Sequence, residues 1–380
     1  MRVGVIGGGQ LARMMVPAAI NLGIDLRVLA ETEGSSARVA APEVGDYHDA
    51  QTVLEFAKTV DVITFDHEHV PEDILRQLVA AGHDVHPGPH ALHFAQDKLA
   101  MRRRLAELGV PVPDWAEVQT EEQLAAFLDD HDGLAVLKTA RGGYDGKGVR
   151  LIRDIGEATD WFRVLDEDGR GGSLLVEELV DFRRELAQLV ARRPSGETRL
   201  WPVVETVQRG GVCSEVFAPA PGATTRLTGL AASIAVTIAD SLDVTGVLAV
   251  ELFETTDDRL LVNELAMRPH NSGHWSIDGS ITSQFEQHLR AVLDLPLGDT
   301  GTRAPWSVMV NVLGGPAAGD LTDAYPKALA DQPNVKVHNY GKDPRPGRKI
   351  GHVTVTGDDL DEAVFEARAV AALLGSDLAG

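Results

Sequence analysis

The chain is 380 residues long, 44% hydrophobic and 24% charged, the composition of a globular protein of two or three domains rather than a disordered one. Against 35 Lys and Arg stand 57 Asp and Glu; at a net charge of −22 the overall field disfavours nucleic acid and anionic membranes, so any phosphate site has to be a local basic cluster. Cys213 is the only cysteine, which excludes a disulfide framework and a cysteine-ligated metal and fits a reducing cytoplasm. The Met-Arg-Val-Gly-Val start leaves no room for a secretory signal, and no apolar run nears the roughly 18 residues of a membrane span.

Val3, Val5 and Ile6 read as a buried strand, and Gly7, Gly9 and Ala12 fit the G-x-G-x-x-G/A spacing of a strand-to-helix turn. Glu31, 22 residues beyond Gly9 and at the end of a second strand over 26–29, stands where dinucleotide enzymes hold a ribose hydroxyl. The fingerprint admits a nicotinamide or flavin, another anion at the helix N-terminus, or only the small residues a helix needs where it crosses its sheet. Further strands at 62–65 and near Val85, with helices over 10–22, 52–58 and 72–81, make a small parallel sheet. His83, His86, His90 and His93 share no ligand geometry, because Pro87, Gly88 and Pro89 break any common helix.

A basic helix over 97–109 follows, with Arg102, Arg103 and Arg104 read as its solvated, nucleotide-facing side. Strands at 134–138, 149–152, 174–179, 185–192, 198–205 and 248–253, joined by turns rich in Gly, Asp and Arg, point to antiparallel sheets. A helix over 226–241 carries Leu227, Leu230, Ile234 and Ile238 on one face, and the last helix has a similar stripe of Val364, Ala367, Val370 and Leu374. Trp115, Trp161, Trp201 and Trp306 are assigned to core or interface.

Two segments carry the chemistry. In LKTARGGYDGKGV, residues 137–149, a strand-end lysine precedes four glycines, and the backbone amides freed at Gly142, Gly143, Gly146 and Gly148 suit phosphate oxygens while Lys138 and Lys147 supply charge. In VELFETTDDRLLVNELAMRPHNSGHW, residues 250–275, two strands joined by an acidic turn set Glu251 near Glu264. Carboxylates in such apolar strands are costly unless they coordinate or pair, and two of them make a hard oxygen site suited to magnesium. Arg268, His270, Asn271 and His274 follow as donors for an anionic group.

Together with GGGQLARMM, VEELVDFRREL and RPGRKIGH, these segments resemble the N5-carboxyaminoimidazole ribonucleotide synthases, ATP-grasp enzymes of purine biosynthesis, in matching order from residue 3 to about 356. The resemblance implies an α/β fold, α+β in its central and C-terminal parts: a Rossmann-like N-terminal domain (1–96), an ATP-grasp domain (97–296) with a mobile antiparallel lid (about 116–180), and a C-terminal domain (297–380). It implies a cytoplasmic homodimer that carboxylates 5-aminoimidazole ribonucleotide with bicarbonate and ATP through carboxyphosphate, with magnesium, or manganese in its place, and no nicotinamide. Glu31 then has a structural or solvent role.

By the same resemblance, Lys98 and Lys138 touch the ATP phosphates, and the flap of Gly143, Tyr144, Asp145, Gly146, Lys147 and Gly148 closes over them. The backbone of Glu177, Glu178, Leu179 and Val180 reads adenine, Glu185 holds the ribose hydroxyls, and Glu251 and Glu264 hold the metal beside Asn263. Gly9, Gln10, Leu11, Glu68, Tyr144, Arg268, His270, Asn271, Arg348 and Lys349 surround the ribonucleotide and bicarbonate, with the phosphate on Arg348 and Lys349. Asp145, Arg268 and His270 are the catalytic candidates, Asp145 or a histidine of the HNSGH segment taking the amine proton. Asp66 departs from a more usual glutamate, Lys147 from an arginine, and Gln208 from a histidine found in some members. A sibling ATP-grasp ligase or transformylase, or a nucleotide sensor without turnover, would share the flap and both glutamates.

Overall fold

The computed structural model describes all residues except 42, 143–147, 168–171, 318 and 377–380. Its first unit alternates β1 (Arg2–Ile6), α1 (Gln10–Leu22), β2 (Asp25–Ala30), β3 (Glu43–Val44), α2 (Ala50–Ala57), β4 (Val62–Phe65), α3 (Glu72–Ala80), β5 (Asp84–Val85) and α4 (Pro89–Gln96). The strands form one parallel sheet in the order β3-β2-β1-β4-β5, as the alternation predicts. The chain reverses direction of winding between β1 and β4, so the crevice beyond their C-terminal ends is the topological switch point. Gly7–Leu11 and Asp66–Glu68 both lie there.

Helix α5 (Lys98–Glu107) leads into a lid of β6 (Trp115–Val118), α6 (Glu121–Asp130), β7 (Ala135–Thr139), β8 (Val149–Ile152), α7 (Thr159–Glu167) and β9 (Leu174–Glu178). Its antiparallel sheet runs β6-β9-β7-β8 over a core of its own, from Val118 and Leu124 to Phe162 and Val176.

The rest of the chain builds a third sheet from β10 (Phe182–Arg192), β11 (Thr198–Leu200), β12 (Val204–Arg209), β13 (Val212–Ala218), β14 (Gly246–Thr255), β15 (Leu260–Ala266), β16 (Trp306–Leu313), β17 (Lys336–Asn339) and β18 (Lys349–Gly357). Helices α8 (Thr225–Ser241), α9 (Ser276–Gly279), α10 (Gln284–Val292), α11 (Tyr325–Asp331) and α12 (Leu360–Leu373) cover it. The strand expected over 198–205 is two strands, parted at Trp201–Pro202. Proline has no N–H for the ladder, and Trp201 leaves it to bury its indole, whose Nε1 donates to the Thr282 carbonyl at 3.1 Å. The C-terminal strands extend the central sheet, in the order β15-β14-β10-β12-β13-β16-β18-β17.

The first unit is docked through shared core. Phe65, Leu75 and Leu92 pack with Ile238, Leu248 and Leu252, while Val5 and Met15 pack with Phe285 and Leu289 of α10. At this junction His288 is wholly buried: Nδ1 accepts the Val247 amide at 3.1 Å and Nε2 meets Thr64 Oγ1 at 2.8 Å. One imidazole thus ties β4 of the first sheet to β14 of the third. It fits because Gly246, at φ +109°, has no Cβ to strike the ring.

Burial, aided by the nearby His86, pushes His288 down to about 3. An unfolded chain takes up that proton near pH 6.5, so the contribution to stability is full above 6.5 and falls as the pH drops towards 3. We expect urea midpoints to fall between pH 6.5 and 4.5, and His288→Asn to lower stability at pH 7.5 while flattening that fall by up to about 1.4 kcal/mol per pH unit. An unchanged slope in the variant would dismiss His288 as a source of acid sensitivity.

Candidate functional site

The three sheets enclose a cleft of about 1440 Å³. On its central wall β14 and β15 pair antiparallel with Glu251 directly opposite Glu264, followed by a register shift. Directly opposed residues share a face of the sheet, so both carboxylates project into the cleft, and like charges there repel. Burial, together with Glu264 and Glu185, pushes Glu251 up to about 8. One ammonium group and one imidazole donor only partly offset this cluster. Lys98 Nζ lies 3.2 Å from Glu264 Oε1, and His270 Nε2 lies 3.3 Å from Glu251 Oε1.

Two opposed oxygen ligands with unrelieved negative charge fit a hard divalent cation. Among the described residues no group of three or more His, Cys, Asp or Glu forms a closed cage, so the pair leaves positions for phosphate oxygens and water.

Lys138, near the end of β7, points its Nζ at Asn263 Oδ1 (3.2 Å) and Glu177 Oε2 (2.6 Å). Lys98 opens α5, capped by Asp97, whose carboxylate also pairs with Arg141 at 3.0 Å, while the Lys98 amide donates to the Ala140 carbonyl. The root of the flap is therefore fastened to the helix that presents Lys98. The flap residues Gly143, Tyr144, Asp145, Gly146 and Lys147 lie outside the described residues, and Gly148, at φ +72°, opens the returning strand β8. Glu177, Glu178, Leu179 and Val180 line the cleft where lid joins central sheet, and Glu185 faces Gln208, whose side chain hydrogen-bonds it against a rise caused by burial.

The switch-point crevice forms the opposite end. Gly9, Gln10 and Leu11 line it beside Glu68, with Arg268, Asn271, Arg348 and Lys349 across from them. Arg268 Nε donates to Glu68 Oε2 at 2.7 Å, leaving Glu68 Oε1 buried without a partner among the described residues. His270 is held neutral: burial, Arg268 and Lys349 all push it well below its ordinary value. Its Nδ1 faces Ser272, from Oγ at 2.9 Å and from the backbone amide at 3.4 Å, which leaves Nε2 to donate to Glu251. All the described site candidates except Gly148 and His274 line this one cleft; His274, expected as a donor there, is wholly buried behind it, with Nδ1 2.9 Å from the Gln284 side-chain amide.

Sequence reasoning missed several residues. Arg102, expected in solvent, is wholly buried against Glu177, whereas Arg103 and Arg104 do lie at the surface, paired with Glu117 and Glu107. Lys342 reaches Gln10, and Arg345 joins the cleft from the loop before Arg348; the run of basic residues in KDPRPGRK was the available signal.

Asp66 was read only as a departure. Its Oδ1 accepts the Ala12 amide at 2.7 Å, capping α1 from a neighbouring strand, so the chain's own carboxylate occupies the anion position that a dinucleotide would need. Glu31 takes the Gly8 amide at 3.1 Å and is held near 2 by its hydrogen bond to His67, the structural role expected of it.

Three family models match consecutive stretches: a ribonucleotide synthetase preATP-grasp domain over residues 1–96, an ATP-grasp domain over 103–285, and a phosphoribosylaminoimidazole carboxylase C-terminal domain over 307–365. The chain is 52% identical over 373 residues to N5-carboxyaminoimidazole ribonucleotide synthase of Mycobacterium tuberculosis, covering 97% of this chain and 86% of that one. Among solved structures it is similar to carboxyaminoimidazole ribonucleotide synthase from Aspergillus clavatus complexed with ATP, at 33% identity, 98% of both chains and a TM-score of 0.88. It is likewise similar to the N5-carboxyaminoimidazole synthase of that organism in complex with ADP and 5-aminoimidazole ribonucleotide, at 31% identity, 98% of both chains and a TM-score of 0.87.

The close approach of Gly9 to Asp66 is testable. A Cβ at Gly9 would stand 1.9 Å from Asp66 Oδ2, so Gly9→Ala should lose about 1–3 kcal/mol in urea titrations, and adding Asp66→Ala should recover part of that loss. Wild-type stability in the single variant would contradict the contact.

Proposed function

Because the chain belongs to the N5-carboxyaminoimidazole ribonucleotide synthase family, we propose that this cleft carboxylates the exocyclic amine of 5-aminoimidazole ribonucleotide with bicarbonate, driven by ATP. The protein is an ATP-grasp ligase of purine biosynthesis. The observation that carries the assignment of chemistry to residues is the opposed pair Glu251–Glu264, set between two lysines and an arginine–carboxylate pair in one cleft. We read the chain as three working units, residues 1–96, 97–296 with a closing lid at about 116–180, and 297–380.

The γ-phosphoryl group passes from ATP to a bicarbonate oxygen, giving carboxyphosphate and ADP. The amine nitrogen then bonds to the carboxyl carbon, directly or after carbon dioxide is released, phosphate leaves, and the amine loses a proton. Lys98 and Lys138 hold phosphate oxygens in line and neutralise their charge, and the flap amides exclude water from the labile anhydride. Magnesium, or manganese, held by Glu251 and Glu264 beside Asn263, would supply further positive charge to the phosphoryl oxygens.

Glu185 takes the ribose hydroxyls, and the backbone at 177–180 takes adenine. Arg348 and Lys349, with Lys342 and Arg345, face the ribonucleotide phosphate. Gln10, Leu11 and the backbone at Gly9 seat the ribonucleotide, and the open Glu68 Oε1 accepts an N–H of its amine. Arg268 orients Glu68, and Asn271 lies beside the bicarbonate. His270 acts best as a donor that orients Glu251, since its acceptor nitrogen is already engaged by Ser272. The amine proton then falls to Asp145 in the flap.

A cytoplasmic homodimer completes the reading. Ile20, 71% exposed on α1, and Val39, 69% exposed on the neighbouring turn, offer apolar surface for a second copy. Light scattering should return twice the chain mass of 40.7 kDa, and a monomer would remove this element alone.

ADP release should require both 5-aminoimidazole ribonucleotide and bicarbonate. Glu251→Gln and Glu264→Gln should each lower kcat at least about 100-fold without loss of fold by circular dichroism. ADP release indifferent to both co-substrates would overturn the assignment.

A further inference from the structure

Arg102 lies one turn into α5, where the chain passes from the first unit to the lid, and its side chain is wholly buried. Its Nε bonds Glu177 Oε1, and its Nη2 donates to the Asn263 carbonyl at 2.7 Å. The other Glu177 oxygen faces Lys138 Nζ at 2.6 Å, and Lys138 also donates to Asn263 Oδ1 at 3.2 Å. One buried carboxylate of β9 is thus shared between a cation of α5 and a lysine of β7. The residue next to Glu264 on β15 fastens both cations.

The balance of charge in this triad matters. Burial alone would push Glu177 up, but Arg102 and Lys138 outweigh it and hold the carboxylate below its ordinary value, so Glu177 is ionised. With Arg102 in place the three groups sum to one positive charge. Without it, Lys138 and Glu177 would form a neutral pair in a nearly dry site, where close opposite charges attract strongly. A phosphate would then compete with a carboxylate for the same ammonium group.

The planar fork of arginine suits the task, because it engages Glu177 and the Asn263 carbonyl at once and cannot lose its charge. Its Nη1 remains buried with no partner among the described residues, so the placement is not explained by satisfaction of every donor.

We propose that Arg102 is a positioning residue for nucleotide binding: by neutralising Glu177 it leaves the charge of Lys138 free for a phosphate of the nucleoside triphosphate. The proposal rests on the reading of Lys138 as a phosphate ligand. It adds that the lysine works only while a third residue, outside the nucleotide's reach, occupies its carboxylate.

Steady-state kinetics on the full chain test it. Arg102→Gln should raise KM for ATP at least tenfold, equivalent to about 1.4 kcal/mol, with KM for 5-aminoimidazole ribonucleotide changed less than twofold. Arg102→Lys, which keeps the charge without the fork, should fall between. The double variant Arg102→Gln/Glu177→Gln removes the competing carboxylate and should bring KM for ATP back to within threefold of the parent. Thermal melts on each variant accompany the kinetics.

An unchanged KM for ATP in Arg102→Gln overturns the proposal. So does a double variant as weak as the single, or variants that lose their fold together, since the triad would then serve folding alone. Lys138→Met separates the two readings. If it leaves KM for ATP unchanged, the assignment of Lys138 to phosphate fails; if it raises KM while Arg102→Gln does not, only the role of Arg102 fails.

Discussion

Two carboxylates held opposite one another by the hydrogen-bond ladder of β14 and β15 set the terms for the rest of the molecule. A one-residue slip would turn one of them to the other face of the sheet, and Leu252 and Val262, paired on that other face and buried in the core, oppose the slip because it would turn one of them out. The register therefore enforces a repulsion that side-chain motion alone cannot relieve. Lys98, His270 and the more distant Lys349 and Arg268 soften it without cancelling it, and Glu251 remains pushed up to about 8. A site with too much negative charge at one point, ringed by cations a few ångströms further out, suits a cation and a polyanion together. It suits neither alone.

The other end of the cleft shows how a familiar turn is put to a different use. Gly7, at φ +105°, supplies a backbone conformation that side chains resist, and Gly9 lets Asp66 approach the start of α1. In a dinucleotide enzyme the amides of such a turn meet pyrophosphate. Here Asp66 and Glu31, both from the chain itself, take the Ala12 and Gly8 amides. The glycines remain necessary because the capping carboxylate comes as close as a ligand would.

Much of this could be read from the letters, and the pattern of what could not is physical. The parallel sheet follows from alternating strands and helices, and the opposed carboxylate pair from two acids inside apolar strands, because both signals lie within short windows. Arg102 gave the opposite impression. In the run RRR its neighbours are surface residues, and only the approach of β9, 75 residues later, makes one of the three a buried partner. His288 and Asp66 are silent for the same reason, since Val247 and Ala12 come close only through tertiary packing within a unit and Thr64 only through the docking of two units. The joining of β16–β18 to the central sheet is likewise a matter of edges, and edges carry no local signature.

The distribution of hydrophobic core follows from what each wall of the cleft has to do. The first unit and the central sheet share two core clusters and the His288 tie, so the crevice at Gln10 and Glu68 keeps a fixed position relative to Glu251 and Glu264. That fixity suits attack by a substrate nitrogen, where an error of an ångström in placement costs rate. The lid has a core separate from both, and its charged attachments converge on a few groups: Asp97 with Arg141, and Glu177 between Arg102 and Lys138. An apolar seam between lid and base would resist opening to admit ATP. Ion pairs at a few points would not.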